Sequence, residues 1–190
     1  MTSVWEILAG SIVLGWMFHL IPVTRSRDRH AVLSYCFGIV FCAGSILLDM
    51  SFGGLWVAVL APFGVMLPAL CLRWSARKLG YAIRPVPRMD KLVVVALMLV
   101  VVLGTMAAIP VHPYSWFYDG IGAGALAMAL GLWALWRRQT IVLGAVVLGQ
   151  ILWLLDVGSS NFYDHMAHFG LIPALLLSAL SRARSTSPTR

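Results

Sequence analysis

Charge is scarce in this chain. Asp, Glu, Lys and Arg make up 11% of its 190 residues, against about 25% in an ordinary water-soluble domain. No polar stretch is long enough to fold separately, so residues 1–190 read as a single domain. Cysteine is scarce as well. Cys36, Cys42 and Cys71 have neither metal-site nor disulfide spacing and read as small buried hydrophobes. The opening MTSVWE lacks the basic start of a cleavable signal peptide and carries Glu6 instead. Residues 50–89 contain no acid at all. No basic face with base-reading elements is visible, so the net charge of +7 does not point to a nucleic-acid partner.

What fills the chain is apolar: 61% hydrophobic residues and a mean hydropathy of +0.89. A membrane span needs about 20 mostly apolar residues. Seven stretches are expected to qualify, at about 4–23, 31–50, 54–74, 92–111, 115–136, 139–157 and 161–181, with Pro62 and Pro68 interrupting the third. The expected fold is all-α, a polytopic seven-transmembrane-helix bundle. All 14 Lys and Arg then fall on one side of such a bundle. The positive-inside rule makes that side cytoplasmic, with the N-terminus outside, the C-terminus inside, and the chain in the cell (inner) membrane. Asp28 and Asp90 lie among the arginines and read as solvated. His19, at the end of span one, reads as a satisfied or snorkelling histidine.

The remaining acids, Glu6, Asp49, Asp119, Asp156 and Asp164, gather on the opposite side with His112, His165 and His168. Asp119 reads as a helix-start acid, favoured there by the helix dipole; Ser160 or Asn161 suits a cap for span seven. SWFYDG (115–120) and SNFYDH (160–165) look like two uses of one helix start. Asp49 and Asp156 instead end their spans, where the dipole disfavours an anion and no Lys or Arg is at hand. Each therefore wants water, a proton or a metal. Asp164 and His168 are four apart, as are Ser45 and Asp49, so each pair shares a helix face. Carboxylate with imidazole suits zinc or a similar divalent ion, with His165 an alternative ligand.

Seven spans, an outside N-terminus, and these two pairs on spans two and seven resemble the alkaline ceramidase and adiponectin-receptor superfamily, seven-span zinc-dependent membrane hydrolases. The family carries Ser and His where this chain has Ser45 and Asp49, and His-x-x-x-His where it has Asp164 and His168. Its further acid at the start of the third helix has no counterpart here. The resemblance implies a metal-assisted hydrolase, with Asp49, Asp164 and His168 holding Zn2+ and an activated water. Ser45 would steady the oxyanion, and Asp156 or His165 would shuttle the proton. The substrate would be an amphiphilic acyl lipid drawn from the outer side of the membrane.

Two other readings stand beside it. A small seven-span terpene cyclase would use Asp49 and Asp156 as desolvated acids on an isoprenoid substrate, with Trp56, Trp116, Phe117 and Trp153 facing a carbocation. A non-enzymatic transporter or membrane assembly factor would draw on the few polar residues deep in the spans, Ser45, Gln150 and His19. Gly120, Gly122, Gly124 and Gly131 read as close-packing positions.

Overall fold

The computed structural model of the protein describes residues 4–21, 27–47, 64–106, 108, 110 and 112–175. Every regular element among them is helical: α1 (Val4–Leu20), α2 (Arg27–Leu47), α3 (Met66–Lys78), α4 (Arg88–Thr105), a 3-10 segment (Pro113–Tyr118), α5 (Gly120–Trp136), α6 (Thr140–Leu154) and α7 (Phe162–Met166). A further helical stretch begins at Leu171. The all-α expectation stands.

The seven-transmembrane bundle does not. Among the described residues no helix is long and apolar enough to cross a membrane. The reason is visible element by element. α1 and α5 are 17 residues each, α6 is 15 and α3 is 13, short of the roughly 20 that a hydrocarbon core demands. α2 has 21 residues but opens with Arg27, Asp28, Arg29 and His30. α4 has 18 but opens with Arg88, Asp90 and Lys91. The stretch 161–181 is not one helix, because α7 stops at Met166 and Ala167 is extended. With the spans go the outside N-terminus, the cytoplasmic C-terminus and the multi-pass placement in the inner membrane.

Helix ends repeat one device. After α3, α5 and α6 the third residue past the helix closes a 6→1 hydrogen bond: Tyr81 N–H to Ala76 O, Gln139 N–H to Ala134 O and Val157 N–H to Leu152 O. The residue before it is left-handed in each case: Gly80, Arg138 and Asp156, with φ of 97°, 53° and 52°. This is the Schellman cap, which satisfies carbonyls the helix leaves over.

Packing runs α1 on α2 and α3, and α5 on α6. Gly15 and Gly38 let α1 and α2 approach: a Cβ on Gly15 would lie 2.6 Å from Tyr35 Cδ1, and one on Gly38 would run into the Ser11 carbonyl oxygen. One core cluster joins α1, α3, α4 and α6 around Ala9, Leu70, Cys71, Met98 and Ala145. A second, around Phe117, Ala123, Val146, Phe162 and Met166, ties the 3-10 segment and α7 onto α5 and α6.

Candidate functional site

α7 and the loop before it form a dense polar knot. Asn161 caps α7, its Oδ1 accepting the Tyr163 N–H at 2.8 Å. It is fully buried, and its amide nitrogen donates to Tyr114 O at 2.9 Å. Asp164 Oδ2 accepts two hydroxyls, Tyr114 at 2.8 Å and Ser159 at 2.7 Å. Burial pushes the Tyr114 phenol up from its ordinary range, and the Asp164 carboxylate it donates to pushes it further. The phenol therefore stays a donor at neutral pH. This knot ties the 3-10 segment to α7.

The two histidines carry the ring proton on the same nitrogen, Nε2, but use different nitrogens for their hydrogen bonds. His165 Nε2 lies 2.6 Å from Ser159 O. A carbonyl only accepts, so Nε2 carries the proton. His168 Nδ1 instead accepts the Gly170 N–H at 3.0 Å, which in the neutral ring puts the proton on Nε2. Both rings are buried. Glu6 of α1 reaches the same corner as His165. A Cβ on Gly158 would lie 3.8 Å from His165 Cε1 and 3.9 Å from Glu6 Oε1.

Set against the expected site, this geometry divides the residues. Asp164 and His168 are not stacked one helical turn apart, because α7 ends between them. A metal-bound imidazole donates its other ring N–H. His168 accepts at Nδ1, so its ring is turned the wrong way for a ligand. Asp164 Oδ2 is already occupied by two hydroxyls. The described residues contain no group of three His, Cys, Asp or Glu able to hold a metal ion. Asp164 and His168 are therefore not arranged here as two ligands of one ion. Asp49 lies outside the described residues, and so does the side chain of Ser45, whose backbone is in α2. Asp156 is exposed, in the left-handed cap position of α6. The desolvation that the cyclase reading asks of Asp156 is absent there. Trp56 also lies outside the described residues. Asp119 caps α5, accepting the Ile121 N–H at 3.4 Å. Its counterpart in the near-repeat, Asp164, lies inside a helix that Asn161 caps, so the two acids do different work.

Two features escaped the sequence reading. The first is Asp90, which is buried rather than solvated. Arg137 donates to its Oδ1 from Nε at 3.3 Å and from Nη2 at 3.2 Å, and Gln139 donates to its Oδ2. The only sequence signal was an acid alone in a basic segment. The second is a partly open cavity of about 130 Å3 lined by residues that include Met66 of α3, Met98 of α4, Leu130 of α5, Val146 of α6, Phe117 and Tyr163. The Tyr163 ring stacks on Phe117 with centroids 5.8 Å apart, and its hydroxyl is buried without a hydrogen-bond partner. Burial holds that phenol protonated, and the nearby Asp164 charge adds to the effect.

No protein-family model, curated protein or solved structure matches the chain. The resemblance to the ceramidase and adiponectin-receptor superfamily therefore rests on Ser45, Asp49, Asp164 and His168 alone.

Proposed function

We propose that the chain binds a small amphiphilic or isoprenoid molecule whose compact apolar end occupies the cavity beside Tyr163. The observation that carries this reading is an apolar cavity with one orphaned hydroxyl in its wall residues. Apolar cavities of about 150 Å3 take up benzene-sized guests, so the part of the occupant seated here is a single ring or a short branched hydrocarbon. A buried hydroxyl without a partner costs about 1–3 kcal/mol. A guest oxygen at Tyr163 would recover much of that, which favours an alcohol, ether or carbonyl over a plain hydrocarbon. The chemistry that follows binding is left to groups beyond the cavity.

The test is a binding series with benzene and with the five-carbon alcohol 3-methylbut-2-en-1-ol, read by thermal shift and calorimetry. Both compounds should raise Tm. Val146→Trp, which fills the cavity, should abolish both effects. Tyr163→Phe should weaken the alcohol five- to tenfold (about 1 kcal/mol) and leave benzene unchanged. If neither compound binds, or if both bind Val146→Trp as well as the parent, the reading is wrong.

A further inference from the structure

The two ends of the helix bundle carry opposite charge. α1 and α3 start beside α7, and α6 finishes there. Glu6 and His165 both approach Gly158, and the Val65 N–H donates to the His165 carbonyl. The far ends of α1 and α3 lie 17 and 13 residues on, a rise of about 20–25 Å. At that far end Lys78, which closes α3, donates to the His19 carbonyl, and the His30 ring of α2 stands 5.7 Å from the His19 ring. The start of α4 and the close of α5 join it too, because Asp90 accepts from Arg137 and from Gln139, the residue before α6.

Every Lys and Arg among the described residues falls at this far end. They occupy the first turns of α2 and α4, the last two turns of α3, the segment between α3 and α4, and the two positions after α5. Among the described acids only Asp28 and Asp90 stand with them; Glu6, Asp119, Asp156 and Asp164 are at the α7 end. Arg29, Arg77, Arg84 and Arg138 are exposed. So are large apolar side chains at the same end: Ile21 after α1, Leu92 in α4, Tyr81 at 67% and Trp136 at 80%.

This pairing of charge with apolar bulk selects the partner. A soluble polyanion would meet the arginines and leave the aromatic and aliphatic side chains in water. A bilayer of anionic phospholipid meets both. Its phosphates suit the two-pronged guanidinium, and Trp and Tyr settle at the level of its head groups. Clusters of about four to eight Lys and Arg are what such a surface attracts. We propose that the basic end of the bundle docks on the surface of an anionic phospholipid bilayer, with the arginines on the phosphates and Trp136, Tyr81, Leu92 and Ile21 among the head groups. The contact is with the bilayer surface and needs no helix to cross it. The acidic α7 end faces away from the lipid charge. The proposal is independent of the cavity reading.

The experiment is flotation of the full chain with vesicles of phosphatidylcholine alone or with one third phosphatidylglycerol. The anionic vesicles should bind about tenfold tighter or more, and sodium chloride should erase the difference. Arg138→Gly removes one charge and also relieves a left-handed backbone, φ 53°, so weaker binding by this variant is not a sign of unfolding. It should cost about fivefold on anionic vesicles (about 1 kcal/mol) and nothing on phosphatidylcholine. Arg77→Gln and Arg84→Gln should do the same. Trp136→Gln removes no charge and should weaken binding to both vesicles. Equal binding to the two vesicles, a preference that salt leaves intact, or arginine variants that bind as well as the parent would overturn the proposal. Unchanged vesicle binding by Trp136→Gln would overturn it as well and assign the surface to a soluble acidic partner.

Discussion

His19 is almost fully buried at 1% exposure, and neither ring nitrogen has a hydrogen-bond partner. The His30 ring stands 5.7 Å away, and Lys78 donates to the His19 carbonyl. Burial lowers the His19 pKa below its ordinary value of 6.5, and Lys78 and His30 lower it further. The folded chain thus keeps this ring neutral at a pH where the unfolded chain would protonate it. Stability is then full above about pH 7 and is lost as pH falls through 6.5 toward the depressed folded value. We expect Tm to drop between pH 7.5 and 5.5, and His19→Leu to flatten that drop; a profile unchanged by the substitution would contradict the assignment. Asp156 poses the opposite case, an exposed acid whose backbone rather than its charge explains it. A left-handed L-residue is strained by about 1 kcal/mol or more, which glycine avoids. Asp156→Gly should therefore stabilise the protein by about 0.5–1 kcal/mol in urea unfolding. A proton shuttle would instead make the substitution damaging to activity. The sequence could not reveal this role, because glycine usually marks such a cap and the nearest one, Gly158, sits two residues late.

At the scale of elements, helical character was legible and helix ends were not. Hydrophobic runs announce themselves by composition, whereas the break in 161–181 depends on partners far along the chain. The His165 carbonyl, which would accept the Phe169 amide in a continuing helix, is taken by the Val65 N–H at 2.8 Å. The Gly170 amide is taken by the His168 ring. Two diverted hydrogen bonds mark the end of α7, and the one from Val65, a hundred residues away, is not written in the local sequence. The stacking of Asp164 over His168 fails for that reason alone. Gly64 makes the diversion possible. A Cβ there would lie 2.6 Å from the Ala167 nitrogen and 2.7 Å from its oxygen, against backbone that has no rotamer to change. Gly64→Ala should therefore destabilise by about 1–3 kcal/mol, as overpacking does. Gly44, inside α2 with nothing within 4 Å of its would-be Cβ, is the matched control. Gly44→Ala should be neutral or stabilising by up to about 1 kcal/mol, since alanine is the better helix former. Equal effects in urea unfolding would mean that the contact at Ala167 does not hold.

For the whole molecule, composition and helix length point in different directions. A chain that is 61% hydrophobic has more apolar side chains than its core clusters take in. The surplus stands on the outside: Val32, Phe37 and Val40 on α2, Met128, Leu132 and Trp136 on α5, and Val147, Ile151 and Leu154 on α6 are all exposed. The sequence shows this surplus plainly but not its geometry, because a residue count does not say whether an apolar run is one long helix or a short one flanked by charged turns. Arg27–His30 and Arg88–Lys91 are built into the helices they open, and they shorten the apolar part below a membrane's thickness. Monomeric proteins rarely leave contiguous apolar patches of more than a few hundred Å2 uncovered, and burial gains about 25 cal/mol per Å2. The exposed faces of α2, α5 and α6 should thus take up amphiphiles or one another. In buffer alone the purified chain should run as a broad, concentration-dependent distribution on size exclusion with light scattering. A mild non-ionic detergent above its micelle concentration should collapse that distribution to one species carrying bound detergent. Replacing Leu132, Val147 and Ile151 by Gln should lower the detergent bound without unfolding the helices, because these side chains face outward. A monodisperse chain that binds no detergent would show that the exposed apolar faces are not sites of association.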